Sequence, residues 1–194
     1  MFKSSAITAL RSRLGRIRRD EKGIAAVEFA IIVPIMAILF IGTIELSQAI
    51  TVDRRVTKIA SATADLIART KQTTRCEVEG IMDIADEILN PYDPQPLRAS
   101  IGNVVSSPTP PVQTTVSWAY QHKGGASGTN LVKDNNYVLP PGVVEPGDSV
   151  IVAEVEYNYT PLIFNEFITS NMRLEETFFL KPRLSAMIQY SESC

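Results

Sequence analysis

Hydrophobic residues form one long, nearly unbroken run close to the start of the chain. Between residues 24 and 44 the only charged side chain is Glu28. A helix rises about 1.5 Å per residue, so a helix over this run reaches roughly 30 Å, the thickness of the hydrocarbon core of a bilayer. The pattern predicts a single membrane-spanning helix over 24–44.

Beyond residue 44 the pattern becomes amphipathic and contains no proline up to about residue 70. Apolar side chains recur at spacings of two to four, which predicts one continuous helix face. The members of this face are Ile50, Val52, Val56, Ile59, Thr63, Leu66 and Ile67. The charged residues Asp53, Arg54, Arg55 and Lys58 fall mostly on the other side, where we expect solvent. The span is therefore expected to continue into a spine helix.

A second helix is predicted over 77–89, where apolar residues again follow a three-and-four rhythm. It ends before Asn90 and Pro91, because proline stops a helix. Five acidic residues lie along it, but they lack the spacing of a calcium-binding loop. We interpret them as a solvated helix face.

From residue 97 the chain changes to a period of two, which is typical of β-strands. Four strands are predicted over 98–106, 112–120, 149–159 and 176–190. Pro182 makes the last one an edge strand or splits it. The alternation in 149–159 predicts a sheet with one half-exposed face. A long loop over 121–146 lacks the pattern of a phosphate-binding loop and is a candidate partner surface.

The predicted fold class is α+β. A single N-terminal transmembrane helix continues into a long amphipathic spine helix, which packs against a small antiparallel β-sheet. The predicted organisation is a basic leader over 1–23, a transmembrane helix over 24–44 and an exported head over 45–194. In that head, 45–89 is helical and 97–190 is mainly β.

Charge is distributed unevenly, although the whole chain has a formal net charge of −2. Seven basic residues and two acidic ones precede Gly23. A basic leader before an apolar span predicts a cytoplasmic N-terminus and an exported head. Nucleic-acid binding by the arginines is the rival interpretation, and we expect no nucleic-acid partner. Removal of a secretory signal is another alternative, but the far end of the span has no clear small-x-small cleavage site.

Glu28 requires an explanation, because an ionised carboxylate inside a lone transmembrane helix costs a few kcal/mol. Lys22 is six residues away and does not share a helix face with it. A cut after Gly23 would give Ile24 a new α-amino group, which could pair with Glu28 of the same chain or of a neighbour. Alternatively, the span starts at Phe29 and Glu28 lies among the lipid headgroups.

The residues around this position resemble those of a known family. Glycine followed by four residues and glutamate resembles the precursors of type IV pilins, which a prepilin peptidase cuts after the glycine. The string GIAAVEFA, with Pro34, Gly42 and Glu45 farther on, is similar to TadE-like pseudopilins of the tight-adherence (Tad/Flp) pilus system. These proteins resemble this chain in having Glu-Phe, here Glu28 and Phe29, where the major Flp pilin has Glu-Tyr.

This resemblance implies a pilin-like minor subunit that takes part in assembling or priming the pilus for surface adherence. Gly23 and Ile24 would form the cleavage site, and Glu28 with Phe29 would set the register between subunits. The implied partners are the prepilin peptidase, other pseudopilins, the major Flp pilin, the Tad inner-membrane assembly platform and the lipid bilayer. The implied location is the bacterial inner membrane, with the head in the periplasm. The resemblance leaves open whether the protein is also incorporated into the pilus.

Within the span, Pro34 removes one helical hydrogen bond and permits a kink. Cys76 and Cys194 both follow the span, on the side expected to be oxidising, and an even pair there favours a disulfide. Two free thiols, or pairing with other chains, are the alternatives.

Catalysis has little support in the sequence. His122 is the only histidine, and Ser127 does not lie in a Gly-x-Ser-x-Gly motif. We therefore expect no enzyme, no metal site and no cofactor. A membrane-tethered hydrolase is a remote alternative. The main alternative is an uncleaved single-pass protein with an exported binding head.

Overall fold

A computed structural model describes residues 22–109, 111–161 and 171–194. The chain divides into two compact units, Met1–Ile44 and Glu45–Cys194. The predicted basic leader, except for its last two residues, lies outside the described residues.

The described part of the first unit belongs to helix α1, which spans Lys22–Ala68. Its apolar side chains up to Phe40 are exposed, among them Phe29 at 68%. An 18-residue window has a mean hydropathy of 2.7 and none of it is buried. By length and composition, α1 is the one helix among the described residues that could cross a membrane. It is compatible with a single-pass anchor.

In the second unit, the head, α1 buries one face against the sheet. The buried residues of α1 in the head are Glu45, Ala49, Val52, Val56, Ile59, Ala60, Thr63, Ala64, Ile67 and Ala68. Ile50 and Leu66 were predicted on this face, but 46% and 38% of their surfaces are exposed. Both are one position removed from a buried residue, and one residue turns a helix by about 100°.

Helix α2 spans Arg75–Leu89, two residues longer at its start than predicted. Thr74 and Glu77 form a capping box, in which each side chain accepts a hydrogen bond from the backbone of the other. At the other end, the Arg55 side chain donates to the carbonyls of Ile88 and Asn90. A guanidinium at this position neutralises the negative end of the helix dipole. Arg55, predicted on the solvated face, is therefore half-buried.

A four-stranded antiparallel sheet in the order β3-β2-β4-β5 packs on α1 and α2. Its strands are β2 (Leu97–Ser106), β3 (Thr114–His122), β4 (Ser149–Tyr159) and β5 (Met172–Leu180). With the long apolar helix, this sheet confirms the predicted α+β class. Ile101, Ile151 and Val155 lie in the core that the sheet shares with both helices.

The predicted strand over 176–190 is split, which is one of the two outcomes expected from Pro182. Strand β5 begins earlier and ends at Leu180, and a separate strand, β6 (Gln189–Ser191), follows. Pro182 lies between them and supplies no N–H for a strand ladder. Strand β6 pairs in parallel with β1 (Gln72–Thr74), which the sequence pattern did not predict.

The sheet face predicted to be half-exposed is instead covered by the long loop. A second cluster buries Val104, Val116, Leu131, Tyr137, Val150 and Val152. Leu131 and Tyr137 belong to the loop between β3 and β4. Glu156 on β4 is consequently only 2% exposed. The period-two pattern showed that this face is more polar, but it could not show what covers it.

Candidate functional site

The predicted cleavage site lies at the start of α1. Gly23, Ile24, Val27, Glu28 and Ile31 line one shallow surface of the helix. Gly23 and Ile24 are adjacent, and the other three follow at spacings of three and four residues, so the five lie on neighbouring turns of one face. A side chain at Gly23 would meet nothing within 4 Å. Packing within the described chain therefore does not require a glycine here.

Glu28 is an exposed carboxylate on an otherwise apolar surface. Over residues 22–109, 111–161 and 171–194, no hydrogen bond or ion pair engages its side chain. The backbone nitrogen of Ile24 lies one helical turn away, a rise of about 6 Å. If that nitrogen became a free ammonium, it would lie within reach of Glu28 of the same chain or of an adjacent one.

The other predicted span residues lie farther along α1. Phe29 follows Glu28 and is exposed, so its ring is available to a lipid or to another helix. Pro34 lies inside α1, which remains helical on both sides of it. Gly42 is half-buried. These three residues do not join Gly23, Ile24 and Glu28 on their shared surface. Their proposed roles remain predictions.

Glu45, predicted as a feature of the span, is the first residue of the head and is 6% exposed. It interacts with Tyr159 at the end of β4. Burial raises the pKa of the Tyr159 phenol, and the charge of Glu45 adds to this effect. No local pattern in the sequence indicates this pair, because more than a hundred residues separate Glu45 from Tyr159.

Cys76 and Cys194 are joined by a disulfide, with a distance of 5.5 Å between their Cα atoms. Cys76 lies in the first turn of α2, and Cys194 follows β6. The C-terminal segment is held at further points along the head. The indole Nε1 of Trp118 donates to the carbonyl of Ile188 over 2.9 Å. The ring of Trp118 also stacks on Tyr190, with their centroids 5.0 Å apart.

Two glutamates of β4, the buried Glu156 and the half-buried Glu154, accept hydrogen bonds from the long loop and hold it on the sheet. Glu156 accepts hydrogen bonds from the backbone N–H of Ser127 over 2.6 Å and from its hydroxyl over 3.0 Å. Glu154 accepts from Tyr137 over 2.7 Å. Burial alone would raise the pKa of Glu156, but the Ser127 hydrogen bonds and the charge of Arg173 outweigh it and lower that pKa. Burial and Glu154 raise the pKa of Tyr137.

Because the pKa of Glu156 is lowered on folding, its contribution to stability is present above its ordinary value of 4.5 and is lost as the pH falls through the folded value. We expect Glu156→Gln to reduce the free energy of unfolding by about 1–3 kcal/mol at pH 7. Below pH 4.5 the difference from the natural chain should shrink. Urea unfolding at several pH values measures both. Glu87→Gln, on an exposed position of α2, should change little. A difference that persists at low pH would contradict this role.

The described residues contain no group of three or more His, Cys, Asp or Glu side chains that could hold a metal ion. His122 lies in the head with its Nε2 3.5 Å from Asp86, which also pairs with Lys123 over 2.9 Å. Lys123 donates to the carbonyl of Pro94 as well. These contacts connect α2 to the turn after β3, and we interpret them as structural.

Comparison with known proteins gives one finding. Residues 23–65 match the family model described as TadE-like protein. No curated protein and no solved structure matches the chain. The match begins at Gly23, covers the surface that contains Ile24 and Glu28, and extends into the part of α1 that belongs to the head.

Proposed function

We propose that this chain, which matches the TadE-like family over residues 23–65, acts as a minor pseudopilin of the Tad pilus system, matured by a prepilin peptidase and used in assembling or priming a pilus for surface adherence. Its role would be structural and not catalytic. One observation carries the proposal. Glu28 lies one turn after the Gly23–Ile24 bond, on an exposed apolar helix, with no partner among the described residues.

The physical argument concerns what cleavage would change. The basic leader cannot easily cross the bilayer, so it keeps the precursor anchored with its N-terminus inside. A cut after Gly23 would remove the leader charges and create an ammonium at Ile24. In an apolar bundle of helices, that ammonium and Glu28 of a neighbour would specify the axial register, because buried ion pairs are better at specificity than at stability.

The proposed partners follow from this scheme. The peptidase would act on the Gly23–Ile24 bond at the cytoplasmic side of the inner membrane. Other pseudopilins and the major Flp pilin would contact the exposed face of α1, and the Tad assembly platform would engage the anchored chain. The periplasmic head would remain on the other side of the bilayer. Its long loop offers a partner surface, since several of its residues are exposed.

The N-terminal sequence of the purified protein tests the proposal. In cells with the prepilin peptidase we expect the chain to begin at Ile24, and in cells without it we expect an intact leader. Gly23→Leu should block cleavage even with the peptidase present. The substitution leaves the helix intact, because a side chain at position 23 meets nothing within 4 Å and leucine favours helices.

Gly80→Leu is the matched control, since a side chain there also meets nothing within 4 Å and the position lies in α2. That variant should be processed normally. An intact leader in both strains would refute the maturation step. The chain would then be an uncleaved single-pass protein with an exported binding head.

A further inference from the structure

The four-stranded sheet has two edges, β3 and β5, and the long loop covers part of the first. The Val116 N–H of β3 donates to the carbonyl of Asn135 in that loop over 2.9 Å. The N–H of Tyr137, also in the loop, donates to the carbonyl of Thr114 over 3.1 Å. Among residues 22–109, 111–161 and 171–194, only β4 bonds to the backbone of β5. The outer edge of β5 is therefore unpaired within the described chain.

The register of the sheet shows which backbone groups of β5 face outward. The Ser106 N–H of β2 donates to the carbonyl of Asp148, just before β4, over 2.9 Å. Hydrogen bonds alternate along an antiparallel pair, so the even-numbered residues of β4 bond to β2 and its odd-numbered residues bond to β5. Each odd-numbered residue of β4 lies opposite an even-numbered residue of β5. The outward N–H and C=O groups therefore belong to the odd-numbered residues Arg173, Glu175, Thr177 and Phe179.

These outward groups are accessible to another molecule. Arg173, Glu175 and Thr177 are exposed, and Phe179 is half-buried. Strand β5 contains no proline, and its register with β4 continues without a shift along the whole strand. Proteins often protect an edge with a proline or a bulge, because a regular open edge is a template for another strand. The edge of β5 keeps the regular geometry that strand addition requires.

A small acidic pocket lies beside this edge. It has a volume of about 120 Å³ and is lined by residues of the long loop, β4 and β5. Four carboxylates and one guanidinium give its lining a formal charge of −3; they belong to Glu154, Glu156, Glu175, Glu176 and Arg173. The Arg173 guanidinium lies 3.4 Å from Glu156 and also pairs with Glu175, whose side chain is still 54% exposed. The pocket therefore favours a further basic group.

The open edge and the acidic pocket together indicate the chemistry of the occupant. Alternating N–H and C=O groups are matched by another extended backbone, and the pocket favours a basic side chain on it. A second copy of β5 is a poor match. Two such strands can pair antiparallel over their full length only about the central residue, Glu176, which would place two carboxylates directly opposite each other. A basic segment of a different protein has no such conflict.

We propose that the outer edge of β5 binds an extended segment of another protein, which adds as a fifth strand of the sheet and places a basic side chain in the acidic pocket. Backbone hydrogen bonds to the outward groups supply the affinity, and the pocket supplies the selectivity. The site goes beyond the pseudopilin role, because it requires neither cleavage after Gly23 nor the carboxylate of Glu28. It would attach the head to a neighbouring protein through its sheet.

Amide hydrogen exchange in the free chain tests whether the edge is open. We would measure it residue by residue by NMR, on the full chain in detergent micelles. The even-numbered residues of β5 are bonded to β4, whereas their odd-numbered neighbours are not. The amides of Leu174, Glu176 and Phe178 should therefore exchange at least about tenfold more slowly than those of the odd-numbered residues.

Added peptides test the occupant. A short peptide of alternating threonine and valine, with one central lysine, should slow exchange at Glu175 and Thr177 as it saturates the edge. The same peptide with glutamate in place of the lysine should bind about tenfold more weakly, because it brings a like charge to the pocket. A lysine peptide methylated at every backbone nitrogen has no N–H to donate to β5, so it should give no protection.

A variant of the pocket tests the charge from the other side. Glu175→Gln keeps the size of the side chain and removes one exposed carboxylate, so it should weaken binding of the lysine peptide about threefold. Glu87→Gln, an equal charge change on an exposed position of α2, should leave binding unchanged.

Four results would overturn the proposal. Slow exchange at the odd-numbered residues of the free chain would show that the edge is already covered, by a second copy if dilution removes the protection. Equal binding of the lysine and glutamate peptides would show that the pocket does not select a basic group. Equal binding of the methylated peptide would exclude strand addition. The last is no protection by the lysine peptide. None of these outcomes bears on peptidase cleavage, which the N-terminal sequence tests separately.

Discussion

Replacing Glu28 by alanine is expected to leave cleavage after Gly23 intact and to abolish the incorporation of this protein into a pilus assembly. The carboxylate costs a few kcal/mol in a lone transmembrane helix, so its removal should make membrane insertion easier. Assembly should fail because the Ile24 ammonium of a neighbouring subunit would then be buried without a counter-charge, which is strongly destabilising. Immunoblots of membrane and sheared-pilus fractions measure both effects.

Two further variants make this result specific. Ile38→Leu keeps an exposed apolar side chain elsewhere on the same helix and should assemble, whereas Glu28→Gln keeps the shape without the charge and should fail as alanine does. Head folding is not at issue, because Glu28 belongs to the first compact unit and the head begins at Glu45. Normal pili from Glu28→Ala would show that the register argument is wrong.

Loss of the Cys76–Cys194 disulfide is expected to have the largest effect on the stability of the head. The two cysteines are 118 residues apart, and closing a loop of that size stabilises a protein by about 4–5 kcal/mol in the chain-entropy model. With a urea dependence of about 2 kcal/mol per molar, Cys194→Ser should lower the unfolding midpoint by about 2 M. Urea unfolding of the full chain in detergent measures this shift.

Dithiothreitol provides the chemical control for this prediction. Reduced natural protein should unfold at the same urea concentration as Cys194→Ser, and the reductant should not affect that variant. The double variant Cys76→Ser/Cys194→Ser should resemble the single one. If reduction leaves the midpoint of the natural protein unchanged, the bond does not contribute to stability. The contacts of Trp118 with Tyr190 and Ile188 would then be sufficient to hold the C-terminal segment.

The helices were predictable because local spacing determines them. Residues 24–68 carry first a continuous and then a three-and-four apolar pattern, and both occur within the single helix α1. The start of α2 was placed two residues late, although Thr74 and Glu77 have the spacing of a capping box and could have revealed it. Strands of three residues, such as β1 and β6, are too short to show a period of two.

The candidate sites also differ in whether their residues are close together or far apart in the sequence. Gly23, Ile24 and Glu28 could be found from the sequence because they lie within one or two helical turns. The pairs Glu45 with Tyr159 and Glu156 with Ser127 join distant positions, and no local pattern indicates them. Glu156 was especially misleading, because alternation placed it on the polar face of a strand that the long loop then covers.

Pairing between β1 and β6 has a kinetic consequence. Gln72 pairs with Gln189, so this part of the head cannot form until nearly all of the head sequence has been synthesised. Such long-range pairings slow folding and leave apolar surface exposed during the delay. The apolar face of α1 is synthesised before the strands, so it would remain exposed longest before the sheet covers it. Newly made chains should therefore pass through an aggregation-prone period that a holding chaperone would shorten.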